Sequence, residues 1–380
     1  MMHKKKVLLL GGTGALGVYM APELLNLGYQ VYITSRSKHI SNERDIIYIT
    51  GNAKDPLFLQ QLLQQDFDAI VDFMIYSTAE FKARVEELLS HTAHYIFLSS
   101  YRVYGDNGGK PISETSPRLL DVVDDADYLM TDEYGLTKAR QEDILKKSGR
   151  KNWTILRPAI TYSKERFQLG TMEANIFVRR ALAGKSVIFP RQMLDKKATL
   201  SWAGDVGRMM ARMVFNKSTM GEVYTVSTAE NHTWREIMDY YIELLGMRVK
   251  LVDLEVYQDT VGGIYQIKYD RMLDRVIDNT KALKVTGMNQ EDFMPLKEGL
   301  KMELMNFVRQ PRYTPYNDNC ERKMNAITST TTSKWKCKNV LAFWGNALRK
   351  VKKLHKEKRL LRTIFVKFLS LVKQKNRNAR

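Results

Sequence analysis

Short, unbroken apolar runs alternate with amphipathic stretches through the first part of the chain. Val7–Leu10, Gln30–Thr34, Ile46–Ile49, Ile70–Phe73 and Tyr95–Leu98 are near-continuous rather than alternating, which predicts strands buried on both faces of a parallel sheet. Between the first two, Gly14 to Leu27 predicts a helix with Leu24, Leu25 and Leu27 on its apolar side. Gly28 closes that helix, and Pro22 predicts a kink in it. Asp132 to Lys147 predicts a later helix. After Thr171 the pattern is mixed, with helices near Ala174–Ala183 and Asp205–Phe215 and a strand near Ser186–Phe189. Thr233 followed by Glu236 is a capping-box pattern that opens a helix to Leu245. The expected fold is α/β: a doubly wound, Rossmann-like parallel sheet (residues 1–165) and a smaller C-terminal α/β domain (166–310), some of whose segments return to the sheet. A polar linker (311–338) and a basic amphipathic helical tail (339–380) complete it.

The first strand runs into Gly11-Gly12-Thr13-Gly14-Ala15-Leu16-Gly17, and a helix and a second strand follow. That context lets a glycine turn hold a dinucleotide. Gly11 permits the tight turn, and Gly14 lets backbone N–H groups approach a pyrophosphate at the positive end of the helix. Gly17 permits close packing of helix on strand. The second strand ends in Ser35-Arg36-Ser37-Lys38, with no carboxylate to bind the adenosine ribose of NAD. Ser35 and Arg36 can instead take a 2′-phosphate, so NADP is favoured over NAD. Asn52, after the third strand, is placed to meet an adenine edge.

Ser99-Ser100 closes the strand Tyr95–Leu98, at the carboxyl edge where ligands bind in open α/β sheets. Tyr134 and Lys138 lie four apart on one helical face. A free tyrosine is a poor base at neutral pH, and a nearby ammonium favours its phenolate. Tyr134 is thus a candidate acid/base, Lys138 its modifier and a ribose clamp, and Ser100 the partner of a developing oxyanion.

With these motifs in order, residues 4 to 305 resemble the extended short-chain dehydrogenase/reductase superfamily, in its NAD-dependent epimerase/dehydratase group. Arg157-Pro158 with Tyr162, Ser201–Val206 and Gly221–Val226 are similar to its later segments. The resemblance implies that Phe73, Arg157 and Pro158 lie beside the cofactor and that the second domain grips a nucleotide-activated sugar. It also implies a homodimer formed through helices around the Tyr134–Lys138 segment. Dehydratases of the group carry Asp-Glu after the catalytic Ser/Thr; here Tyr101-Arg102 stands there, leaving epimerisation or reduction. The group's phosphate-gripping arginine is not evident, and Lys196 and Lys197 are the expected stand-ins. Met74-Ile75, bulkier than usual, resembles atypical members similar to chloroplast RNA-binding relatives. The alternative reading is therefore a cofactor-sensing or RNA-binding protein, although such relatives tend to lack the Tyr-x-x-x-Lys pair.

Charge separates body from tail. Of 60 Lys and Arg and 42 Asp and Glu, residues 311–380 hold 19 and 3, so the net charge of +18 lies almost wholly in the tail. From Val340 to Lys373, apolar residues including Leu341, Trp344, Leu348 and Phe365 recur at helical spacing among lysines and arginines. Such a face suits an anionic membrane surface, packing on its own domain or a dimer partner, and, least favoured, nucleic acid. Cys320 and Cys337 match no metal motif and read as free thiols of a reducing cytosol. No apolar run is long enough to span a membrane. The expected location is cytoplasmic, with peripheral contact at the inner membrane surface through residues 339–380.

Overall fold

A computed structural model describes residues 4–311, 313 and 317–329. The expected tail, 339–380, and the thiol at Cys337 lie outside the described residues.

Seven parallel strands form the central sheet: β1 (Lys6–Leu10), β2 (Gln30–Ser35), β3 (Ile46–Thr50), β4 (Ala69–Asp72), β5 (His94–Leu98), β6 (Trp153–Leu156) and β7 (Glu222–Tyr224). Their order is β7-β6-β5-β4-β1-β2-β3. The unbroken apolar runs are explained by coverage on both faces. Val7, Leu9, Val31, Ile33, Val71 and Ile96 point into one core, under α1 (Gly17–Asn26) and a later helix, Ala203–Met213. Leu8, Leu10, Ile70, Tyr95 and Phe97 point into the other, with Leu59, Leu62 and Leu88. α1 continues through Pro22. Gly207 lets its helix approach α1, since a Cβ there would sit 3.0 Å from the Met20 nitrogen. The order reverses between β1 and β4, so a crevice opens at their carboxyl ends.

His94 shows how the sheet is held internally. It is fully buried; its Nδ1 accepts the Phe215 N–H (3.0 Å) and its Nε2 lies 2.8 Å from Thr154 Oγ1, whose hydroxyl proton goes to Thr219 O. This pattern uses neutral imidazole, and burial brings the pKa down to about 4.

Helix α2 (Tyr134–Lys146) begins two residues later than the apolar pattern implies, because Glu133 caps it by accepting the Gly135 N–H (2.8 Å). Gly135 to Ala139, Gln141, Glu142 and Leu145 are all buried. Residues 118–132 wrap this helix from outside. Arg118 reaches Asp143 (2.7 Å) and Ala139 O (3.3 Å), and Arg140 returns to Thr131 O (2.6 Å). On another side Gln141 donates to Tyr76 O (2.8 Å).

The second lobe is largely helical, with two-stranded pairs such as Val187–Pro190 with Val249–Val252. Helix Trp234–Leu245 has the expected Thr233/Glu236 capping box and ends at Gly246, whose φ is +63°. The linker expected over 311–338 does not hold across its described middle. Asn317 caps α3 (Asp318–Thr328), which buries Cys320 and Met324. Glu321 meets buried Arg180 (2.6 Å) and Lys185 (2.6 Å), so long-range ion pairs decide a segment whose local composition is polar.

Candidate active site

The glycine turn at the end of β1 is built as its spacing requires. Gly11 has φ +69°, and its N–H donates to Thr34 Oγ1 (2.8 Å), tying the turn to β2. A Cβ on Gly17 would lie 2.3 Å from Gly12 O, so only glycine lets α1 start so close to the turn. Gly14 differs: it is exposed, and a Cβ there would meet nothing nearer than 3.8 Å. Its backbone is open to a ligand, which fits a dinucleotide phosphate over the turn. Thr13 and Ala15 flank it, half-buried, and Leu16 is buried. Met74 reaches over from the β4 end, with its sulfur 2.7 Å from where a Gly11 Cβ would be.

At the β2 end, Ser35 Oγ accepts the Ser37 N–H (3.2 Å), while Arg36 is exposed and forms no ion pair among the described residues. Asn52 is exposed and its Oδ1 accepts the Lys54 N–H (3.1 Å). The Phe73 N–H donates to Leu10 O (3.0 Å) at the switch point.

A cavity of about 240 Å³ opens at the carboxyl ends of β5 and β6. Leu16, Ser100, Tyr134 and Pro158 all line it, so the glycine turn, the Ser100 hydroxyl and the Tyr134 phenol share one space. Lys138 lies behind this lining. It is 2 % exposed, with Nζ 4.6 Å from the centre of the Phe97 ring. Burial brings its pKa down to about 8, against the opposing pull of Asp72 and Glu142. Asp72 is itself buried, which raises its pKa; the Met74 N–H (2.9 Å) and the Tyr95 hydroxyl (2.8 Å) donate to it and work the other way, as does Lys138.

Arg157, expected beside the cofactor, is engaged within the protein. Its Nε and Nη2 donate to Glu142 at 2.8 and 2.5 Å, and its guanidinium lies 4.7 Å from the Tyr104 ring centre, outside the cavity lining. Glu142 also accepts the Ser99 hydroxyl (2.6 Å). A fully buried carboxylate captures the nearest guanidinium, and here the pair locks α2 to the ends of β5 and β6. Glu142 falls four residues after Lys138, on the same helical face, a signal that could have found it.

Lys196 and Lys197 are not in the cavity lining either. The cations there are Arg102, Arg166 and Arg271, with Gln168, Gln266 and Glu173. Arg271 donates to Tyr101 OH (2.6 Å), Gly170 O (2.8 Å) and Gln168 Oε1 (3.1 Å), and it pairs with Asp270. Burial alone would raise the Asp270 pKa, but Arg271, Arg275 and Arg102 hold it below the usual value. Local spacing carries no signal for this set.

The profile of the NAD dependent epimerase/dehydratase family matches residues 7–227. A curated relative, the chloroplast stem-loop binding protein of 41 kDa b of Arabidopsis thaliana, is 25% identical over 239 residues, which span 59% of each chain. Among solved structures, dTDP-glucose 4,6-dehydratase from Bacillus anthracis in complex with NAD covers 80% of this chain and 97% of its own at TM-score 0.63 and 18% identity. UDP-glucose 4-epimerase from Thermotoga maritima with UDP-glucose covers 81% and 100% at TM-score 0.61 and 18% identity. At such identity these structures speak to the fold. With its motifs, sheet order and profile in agreement, the chain belongs to the NAD-dependent epimerase/dehydratase family.

Proposed function

We propose that the protein is a nicotinamide-dependent epimerase or reductase of a nucleotide-activated sugar. The observation that carries this reading is the shared cavity: Leu16 from the glycine turn, Ser100 and Tyr134 face one space. Gly11, Thr13, Gly14, Ala15, Leu16 and Gly17 would hold the dinucleotide phosphates, and Phe73 and Pro158 would flank the cofactor. When bound, the nicotinamide supplies hydride transfer to or from a sugar carbon. Tyr134 exchanges a proton with that carbon's hydroxyl, and Ser100 donates a hydrogen bond to its oxygen as charge develops. Lys138 places a positive charge behind the phenol. Glu142 and Arg157 keep Ser99-Ser100 and α2 in register. Tyr101 and Arg102 offer no carboxylate for dehydration.

We also infer NADP over NAD, because Arg36 is exposed at the β2 end with no protein partner among the described residues. Nicotinamide fluorescence and absorbance of the purified protein, then titration with NAD(H) and NADP(H), test both points. A co-purifying cofactor that is not consumed supports an epimerase, and exchangeable NADPH supports a reductase. Binding of neither removes the enzyme reading and favours the RNA-binding alternative, for which the stem-loop binding relative speaks. The decisive truncation falls after Ser329, because cutting at 311 would strip Arg180 of Glu321. An enzyme keeps turnover without residues 330–380, whereas an RNA binder that depends on the tail loses its activity. The charge and apolar spacing of 339–380 support peripheral binding to anionic membranes, tested by sedimentation with phosphatidylserine vesicles.

A further inference from the structure

The cavity wall beside Tyr134 is cationic for its size. Arg102, Arg166 and Arg271 line it, with Glu173 as the carboxylate of the lining. Arg102 pairs with Glu133 and lies 3.7 Å from Asp270. Arg271 and Arg275 share that same buried Asp270, and Arg166 stands 3.7 Å from Glu173. Four guanidinium groups, Arg275 behind the lining, therefore meet three carboxylates, an excess of one positive charge around the wall. The Arg102 guanidinium lies 5.3 Å from the centre of the Tyr134 ring. Among the described residues, only its Nη2 has a hydrogen-bond partner, Glu133.

Resting on the nucleotide-sugar reading, we propose that Arg102 selects a substrate with a carboxylate on the carbon next to the one whose hydroxyl meets Tyr134. That substrate is a nucleotide-activated hexuronic acid rather than a neutral hexose. The diphosphate of such a substrate hangs from the opposite side of the sugar ring, whereas this guanidinium lies against the Tyr134 ring itself. A planar guanidinium held from behind by Glu133 and Asp270 is pre-oriented for a flat carboxylate.

The test is calorimetric binding to the full chain with cofactor present. The probes are glucuronate and glucose, each as its uridine and thymidine diphosphate derivative, together with UDP and dTDP. The natural chain is compared with Arg102→Gln and Arg102→Lys. The expected result is a preference for the glucuronate form of at least about tenfold, as a charged hydrogen bond provides. Arg102→Gln removes the preference and Arg102→Lys restores part of it, with cofactor affinity unchanged in both. Equal binding of the two sugars by the natural chain overturns the proposal and leaves the nucleotide-sugar reading standing. An equal loss of both sugars and of the free diphosphates in Arg102→Gln assigns Arg102 to the diphosphate and also overturns it. Should Arg102→Gln fail to fold, the natural chain's preference and its weakening in Arg102→Lys decide. If none of the nucleotides binds, the nucleotide-sugar reading falls, and this inference falls with it.

Discussion

The glycine turn and the cationic wall face the same cavity but are built in opposite ways. The turn is largely local: residues 11–17 hold one another, one hydrogen bond reaches from Gly11 to Thr34, and Met74 packs over Gly11. The wall is assembled from distant parts of the chain. Tyr101 meets Asp270, Arg271 meets Gln168, and Arg275 meets Gly105 O (2.8 Å). On the proposed reading, a cofactor grip is written in seven consecutive residues, while substrate recognition depends on ion pairs that exist only after folding. The two halves should fail differently when altered.

The sharpest break comes at their meeting point. Tyr134→Phe should cost about 10³-fold or more in turnover while cofactor affinity stays as it was, read by steady-state kinetics and fluorescence titration. Loss of cofactor binding in that variant would move Tyr134 out of the acid/base role. On the long-range side, Glu142→Ala leaves buried Arg157 without its carboxylate. It should destabilise the fold by about 3–5 kcal/mol in denaturant unfolding.

His94 gives the long-range side a pH signature. Its folded pKa, about 4, lies below the ordinary histidine value, so between the two the unfolded chain binds more protons. Its contribution to stability is intact above about pH 6.5 and declines as pH falls toward 4, by up to about 3 kcal/mol. Chemical unfolding at pH 7 and pH 4.5 should show a drop that His94→Gln reduces. The turn calls for a finer cut. Gly14→Ala should keep the melting temperature, because its Cβ position is open, and weaken cofactor binding about tenfold. Gly17→Ala should lower both, because its Cβ meets Gly12 O. The smallest effect is expected for Arg36→Ala: NADP binding weakens several-fold and NAD binding does not change.

This contrast also explains what could be read before the structure. The strands, the glycine turn and the Thr233 cap are decided within a few residues, and the chain shows them plainly. Ser100 and Tyr134 were legible because each sits at the end of a recognisable element. The Arg157 ion pair is harder to read, because its partner Glu142 is on another element and is signalled only by its spacing from Lys138. Arg102 read only as the lack of an acid until Glu133, Asp270 and the Tyr134 ring were seen around it. Lys196 and Lys197 sat at a plausible distance along the chain, yet Lys197 is exposed and its N–H donates to Asp274 (2.8 Å). Residues 318–328 looked like linker because their apolar content is low; Arg180, far upstream, supplies the anchor.

The wrapping of α2 by residues 118–132 bears on assembly. The helix expected to meet its copy in a second subunit is partly covered by its own chain, from Arg118 on one side to Gln141 and Tyr76 on the other. We expect the Tyr134 site to be complete within one chain. Specific activity should then stay constant on serial dilution, whether or not two chains associate.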